Sequence, residues 1–166
     1  MATVRHAVST DAERIGEIHI RSWQKAYPGI LPADFLASLS VAARVEHWRA
    51  DLVSMAERNL ALVIEEGWSV LGFARLAPSA DGSDGEVQAI YLDPDHWRQG
   101  LGRVLMTAAE EALAEQGWNE AILWVLEENE SARRFYEAMG WKVEPHRALL
   151  NIGGADVQEI RYRKAL

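Results

Sequence analysis

The stretch that decides the fold is residues 86–103, which read EVQAIYLDPDHWRQGLGR. Residues 86–93 are mostly apolar and run into a proline, so they predict a strand that ends in a turn. Paired glycines follow at Gly100 and Gly102, and the apolar residues beyond them recur at helical spacing to about Gln116. A strand, a glycine turn and a helix in this order direct free backbone N–H groups and the positive end of the helix at one point. Such a point suits a phosphate group.

The glycine turn has three competing interpretations. A dinucleotide-binding fingerprint needs a third glycine where this chain has Leu105, which argues against a nicotinamide-dependent enzyme. A Walker loop needs a Gly-Lys-Ser/Thr sequence that the chain lacks. The third interpretation is a structural turn that admits a helix close to the sheet. The turn by itself does not decide between that role and phosphate binding.

Length and composition narrow the class of protein. The 166 residues predict a single domain, residues 1–166, long enough to bury a core. A net charge of -8 argues against nucleic acid or an anionic membrane as the main partner, and no apolar run approaches the roughly 18 residues of a membrane span. The chain has no cysteine, and its five histidines lack metal-ligand spacing. With no signal peptide visible, we expect a cytoplasmic enzyme without a metal.

The remaining sequence divides into helical and strand patterns. Thr10 and Glu13 have the spacing of a capping box, which predicts that the first helix begins there and continues to about residue 25. Asn129 can cap a later helix that Gly140 closes. The other predicted helices are 32–39, 41–55 and 99–116, and the predicted strands are 3–8, 60–65, 68–77, 86–93, 120–126, 141–152 and 156–163. This order predicts an α/β fold with a mixed sheet covered by helices.

A second motif, at residues 129–141, reads NESARRFYEAMGW. Together with residues 98–103, it resembles the GNAT superfamily of acetyl-CoA-dependent N-acetyltransferases. Residues 98–103 are similar to the pyrophosphate loop of that family, and residues 129–141 are similar to its later helix motif. Residues 5–11 and 23–30 resemble the opening of many bacterial members, so the resemblance covers essentially the whole chain.

The resemblance implies a GNAT-type acyl-CoA N-acyltransferase fold, with helices on both faces of a mixed, mostly antiparallel sheet. It implies acetyl-CoA as the acetyl donor, with its pyrophosphate on the glycine turn and its pantetheine arm along the preceding strand. The family's loop usually begins with Gln or Arg and then Gly, whereas this chain has Trp97 and Arg98 there. The residues implied to bind the cofactor are Ile90, Tyr91, Leu92, Arg98, Gln99, Gly100, Leu101, Gly102, Arg103 and Asn129.

The base for acetyl transfer must take a proton from an alkylammonium group, whose pKa is about 10. Glu86 is our first candidate, because by resemblance its strand lies beside the thioester and a partly buried carboxylate there would have a raised pKa. The competing interpretation of Glu86 is a solvated residue at the start of a strand. Asp84, Glu127 and Glu128 are the alternative bases.

The acid for the departing thiolate is predicted to be Tyr136. It lies one helical turn after Ala132, on the apolar face of its helix, and its position in the family implies this role. The competing interpretation is a core tyrosine whose hydroxyl donates to a backbone carbonyl.

The acceptor is predicted to be a primary amine of a small molecule that attacks the thioester directly, with Trp23 and Tyr27 as a wall of its pocket. Two other functions stay open: a non-catalytic sensor that binds acyl-CoA, and an acetyltransferase acting on protein N-termini or lysines. Family members often dimerise, so the resemblance also implies that a homodimer can form, although no residue of the sequence indicates an interface.

Overall fold

The computed structural model describes all of residues 1–166 and contains seven strands and five α-helices. The strands are β1 (Thr3–His6), β2 (Leu60–Glu66), β3 (Ser69–Pro78), β4 (Gly85–Leu92), β5 (Glu120–Leu126), β6 (Lys142–Ile152) and β7 (Ala155–Ala165). The helices are α1 (Ala12–Ala26), α2 (Ala33–Ser38), α3 (Val41–Val53), α4 (Leu101–Glu115) and α5 (Glu130–Ala138). None of these helices combines the length and the apolar composition that crossing a membrane would require.

All seven strands form one sheet in the order β1-β2-β3-β4-β5-β7-β6. Every neighbouring pair is antiparallel except β4 and β5, which are parallel. The parallel pair is short, because only Gly85 and Glu86 of β4 have partners in β5. Beyond Glu86 the two strands diverge and leave a cleft in the middle of the sheet.

A bulge in β4 lies at the start of this divergence. Ala89 pairs with Arg75 of β3 and Val87 pairs with Leu76, so that Gln88 is an extra residue with no partner. A bulge of this kind bends the strand that carries it. The bend directs the last part of β4 away from β5.

Helices cover both faces of the sheet, each over its own apolar cluster. On one face, α4 packs Leu105 and Met106 against the strands, and α5 adds Tyr136. On the other face, α1 packs Ile15 and α3 packs Trp48. The predicted α/β fold, a mostly antiparallel mixed sheet with helices on both faces, is confirmed.

The start of α1 differs from the prediction. The capping box of Thr10 and Glu13 does not form, and a single turn of 3-10 helix at Ser9–Asp11 precedes a helix that begins at Ala12. The reason is Asp11, whose carboxylate accepts the Val8 N–H at 2.8 Å and binds the Arg5 guanidinium through both oxygens. These contacts fix the turn before the helix starts.

Helix α4 also begins later than predicted, at Leu101 instead of residue 99. Arg98 and Gly100 have φ values of 61° and 81°, which belong to the left-handed region. A right-handed helix cannot continue through such residues, so the turn stays a loop up to Gly100.

Asp93 connects the end of β4 to α1. It is only 2% exposed, and its carboxylate binds the guanidinium groups of Arg14 and Arg21 and accepts the Asp95 N–H. Burial opposes ionisation of Asp93, but the hydrogen bonds from the Asp95 N–H and from Arg14 outweigh it and hold the pKa below its ordinary value. Asp93 thus fixes the position of the loop that follows β4 relative to α1.

We expect Asp93→Ala to lower the free energy of unfolding by about 2 kcal/mol, because the charge-assisted hydrogen bonds of a buried carboxylate are lost. Urea denaturation measures this loss. Asp95→Ala is the control: Asp95 also binds Arg21, but its side chain is 72% exposed, so we expect a loss under about 1 kcal/mol. Because the pKa of Asp93 is lowered by folding, its contribution is present above the unfolded pKa of about 3.9 and is lost as pH falls further. Equal losses for the two variants would contradict this account.

Candidate active site

A cavity of about 790 Å³ occupies the cleft between β4 and β5. Residues of α1, α3, α4, α5, β4, β5 and β7 line it, together with the loop between β4 and α4. The cavity therefore passes through the sheet, from the face covered by α4 and α5 to the face covered by α1 and α3. We call these two parts the α4–α5 side and the α1–α3 side.

The glycine turn lies on the α4–α5 side. The indole N–H of Trp97 donates to the Leu92 carbonyl at 2.9 Å and so connects the loop to the end of β4. The first backbone hydrogen bond of α4 is from the Val104 N–H to the Gly100 carbonyl, at 3.4 Å. The six N–H groups of residues 98–103 have no acceptor within the protein. They leave a set of unpaired donors at the positive end of a helix, which favours an anion.

The cofactor residues predicted from the sequence divide into two groups. Those that line the cavity are Ile90, Tyr91, Leu92, Arg98, Gly102 and Asn129, and those of the same turn that do not are Gln99, Gly100, Leu101 and Arg103. Gly102 lies close to other groups, because a Cβ there would be 3.4 Å from the Phe135 ring. Asn129 caps α5 as predicted, with its side-chain oxygen accepting the Ala132 N–H at 3.2 Å.

Tyr136 lines the same side of the cavity from α5. Its ring packs against Phe135 and Tyr162, with centroids 5.6 and 6.1 Å away, and the residue is only 9% exposed. Its hydroxyl makes no hydrogen bond to a backbone carbonyl, unlike the core tyrosine of the competing interpretation. Burial, together with Tyr91, raises the pKa of Tyr136 above its ordinary value. The phenol therefore keeps its proton at neutral pH and has it free to donate.

An aromatic cluster forms the α1–α3 side. The Tyr91 hydroxyl accepts the Trp23 indole N–H at 3.1 Å and lies 3.3 Å from the Tyr27 hydroxyl. Both Trp23 and Tyr27 line the cavity. The sequence indicated these two residues at the end of α1, but it did not indicate that the side chain of Tyr91 holds them together from β4.

His19 belongs to this aromatic cluster and lines the cavity, although the sequence indicated no role for it. Its ring stacks on Tyr91 with centroids 5.3 Å apart, and its Nδ1 accepts the Trp48 indole N–H at 3.1 Å. Burial, assisted by the charges of Arg44 and His47, lowers the pKa of His19 to about 3. The imidazole is therefore neutral at physiological pH, and because an indole only donates, its proton is on Nε2.

Two half-buried carboxylates, Glu86 and Glu159, are candidates for the base. Glu86, the base predicted from the sequence, is half-buried but does not line the cavity, whereas Glu159 of β7 does. Burial raises the pKa of Glu86, and the charge of Glu159 raises it further. Burial also raises the pKa of Glu159, which has no cationic partner. The sequence missed Glu159 because only the pairing of β7 with β5 brings it to the cleft.

The alternative bases have other partners. Glu127 binds Arg147 at 2.8 Å, which holds its pKa below the ordinary value. Asp84 binds Arg163 at 3.0 Å. Neither of these residues, nor Glu128, lines the cavity, and no group of three or more His, Asp or Glu residues is arranged to hold a metal ion.

Known proteins resemble this chain in both sequence and structure. An N-acetyltransferase of Bacillus subtilis named YuaI, itself uncharacterised, is 36% identical over 141 residues, which are 83% of this chain and 79% of the relative. The spermidine N(1)-acetyltransferase of Thermoplasma acidophilum is 24% identical over 85% of this chain and 88% of its own length. The crystal structure of PaiA N-acetyltransferase from Thermoplasma acidophilum, in complex with coenzyme A, superposes with a TM-score of 0.79, at 24% identity, over 100% of this chain and 99% of that one.

The family model that matches covers residues 12–141 and describes the acetyltransferase (GNAT) family. The match includes both motifs that carried the resemblance in the sequence, the glycine turn and all of residues 129–141. The family prediction made from those motifs is confirmed. The chain belongs to the acetyltransferase (GNAT) family.

Proposed function

We propose that the protein transfers the acetyl group of acetyl-CoA to a primary amine of a small molecule, by direct attack of the amine. The observation that carries this proposal is the cavity through the sheet, which joins a set of free N–H donors on one side to a carboxylate and an aromatic cluster on the other. The coenzyme A complex of the PaiA neighbour and the names of the relatives in two species support the same donor and reaction.

The α4–α5 side fits the donor, acetyl-CoA. The pyrophosphate would bind the free N–H groups of residues 98–103, with the Arg98 side chain beside it. No residue of β5 pairs with β4 beyond Glu86, so the backbone groups of β4 that face the cleft are available to the amides of the pantetheine arm. We expect the predicted contacts with this arm at the backbone groups of Ile90 and at the N–H of Leu92, because the Leu92 carbonyl already accepts from Trp97 and Ser22.

Glu159 is the base in our proposal, in place of Glu86. Because it lines the cavity, it can accept the proton of the ammonium group directly or through one water. The amine nitrogen then attacks the carbonyl carbon of the thioester, so that a C–N bond forms and the C–S bond breaks. The raised pKa of Glu159 improves its match to an amine, since a more basic carboxylate takes the proton more readily.

Tyr136 is the acid in our proposal. The departing sulfur carries the electrons of the C–S bond, and the free Tyr136 hydroxyl can supply the proton that makes it a thiol. Burial keeps the phenol protonated before the reaction. Tyr136 and Glu159 thus act on opposite sides of the cleft.

A small acceptor is favoured by the way the α1–α3 side is closed. Phe35 of α2 packs directly over Gly153 in the turn between β6 and β7, where no Cβ would fit. Tyr27 and Leu126, which line the cavity, belong to the same apolar cluster as Leu36. We infer that this packing bounds the cavity at that end, which favours a small acceptor over an extended peptide or a folded protein.

Release of the coenzyme A thiol from acetyl-CoA, measured over a panel of small amines and peptides, tests the proposal. We expect release with small amines and little with peptides. If coenzyme A binds but no amine or peptide causes release, the protein is a sensor of acyl-CoA instead of an enzyme.

A further inference from the structure

The charged side chains on the α1–α3 side of the cavity do not follow the charge of the whole protein. The chain has a net charge of -8, yet two cations, Lys25 and Arg44, and only one carboxylate, Glu159, line this side. An acceptor with several positive charges would therefore meet like charges here, at a cost in binding. An acceptor with one positively charged group and one negatively charged group would match the carboxylate and the cations that line this side.

Of these two cations, Arg44 is the one whose surroundings suit the binding of an anion. It lies in the first turn of α3 and is half-buried, and its guanidinium has no ion pair or hydrogen bond within the protein. Arg14 and Arg21 of α1, by contrast, are both paired with Asp93. An arginine that is partly buried and unpaired is suited to bind a planar anion from a ligand.

His19 shows where the Arg44 charge acts. Burial lowers the pKa of His19, the charge of Arg44 adds to this effect, and both residues line the cavity. His19 keeps a proton on Nε2, since Trp48 donates to Nδ1, and no protein group accepts that proton. Arg44 and His19 together offer donors, and no acceptor, in one part of the cavity.

We infer that the acceptor carries a carboxylate close to its amine, and that Arg44 binds this carboxylate while the amine faces Glu159. The acceptor would then be an amino acid or a similar amino carboxylate, and not a polyamine. This inference rests on the proposed acetyl transfer. It adds a specificity residue, Arg44, to a reaction that Glu159 and Tyr136 perform.

The test compares each standard amino acid with its carboxamide, which keeps the amine and removes the negative charge, and it includes spermidine as a polyamine. Two quantities are measured: release of coenzyme A thiol from acetyl-CoA, and equilibrium binding of the same amines to the protein loaded with coenzyme A. The variant is Arg44→Gln. The control is Arg49→Gln, which makes the same change in the same helix at an arginine that does not line the cavity and pairs with Glu46.

We expect at least one amino acid to bind and react better than its carboxamide and better than spermidine. Arg44→Gln should raise KM for that amino acid by about tenfold or more and leave its kcat unchanged. The KM for the carboxamide should stay the same, so the preference for the amino acid over its carboxamide should disappear. Arg49→Gln should keep it. The inference is overturned if carboxamides or spermidine bind equally well, or if Arg44→Gln keeps the preference. Binding that prefers the carboxylate, without thiol release, would support the role of Arg44 while contradicting acetyl transfer.

Discussion

Replacing Glu159 with Gln is expected to lower kcat by about a hundredfold or more, because the amine then has no carboxylate to take its proton. The amide has nearly the same shape, so binding of coenzyme A should be unchanged. Thiol release at saturating amine measures the first quantity, and calorimetric titration with coenzyme A measures the second. The matched variant is Glu86→Gln, for which we expect a smaller loss, since Glu86 does not line the cavity. A larger loss for Glu86→Gln would return the base to the residue that the sequence indicated.

The dependence of kcat on pH gives an independent check on Glu159. A base works only when deprotonated, so kcat should fall as the pH drops through its pKa. Burial raises that pKa, and the midpoint should therefore lie above the value of about 4.3 for an ordinary glutamate. We expect this acidic limb to disappear in Glu159→Gln. A limb that persists unchanged in the variant would belong to another group.

Replacing Tyr136 with Phe is expected to lower turnover by about a hundredfold while leaving coenzyme A affinity unchanged, because only the proton for the departing thiolate is lost. The Tyr136 hydroxyl has no partner within the protein, so stability should also change little.

Tyr162→Phe is the matched control for this prediction. Its ring packs 6.1 Å from that of Tyr136, but its hydroxyl donates to Glu137 and accepts from Arg133. We expect this variant to lose stability and to keep turnover. If Tyr136→Phe weakens coenzyme A binding as much as it slows turnover, Tyr136 is a binding residue and not an acid.

Local patterns predicted most of the elements, because their causes are local. Asn129 caps α5 through a bond to a residue three positions away, and the bounds of β5 follow from a short apolar run. The glycine turn was likewise visible from Gly100 and Gly102. The predicted start of α1 was wrong because Asp11 also binds Arg5, in a different element, and a capping box considers only neighbours.

The candidate site was predicted less completely, because its groups come from distant parts of the chain. Glu159 reaches the cleft only through the register of β7 with β5, and Arg44 only through the packing of α3 against α1. The extra residue in β4, Gln88, has no signature in sequence, and yet it determines which side chains of that strand face α1. Strand pairing and bulges are properties of the assembled sheet, so they cannot be predicted from the sequence of one segment alone.

The divergence of β4 from β5 has a consequence for how stable this protein can become. A sheet that continued its parallel pairing past Glu86 would gain further hydrogen bonds, but it would fill the space in which we propose that the pantetheine arm lies. The protein therefore keeps a sheet in which part of β4 lacks backbone hydrogen bonds to β5. A ligand whose amides make those hydrogen bonds would stabilise the fold as an added strand does. Variants selected only for heat resistance would tend to close this gap, and they would lose activity as they did so.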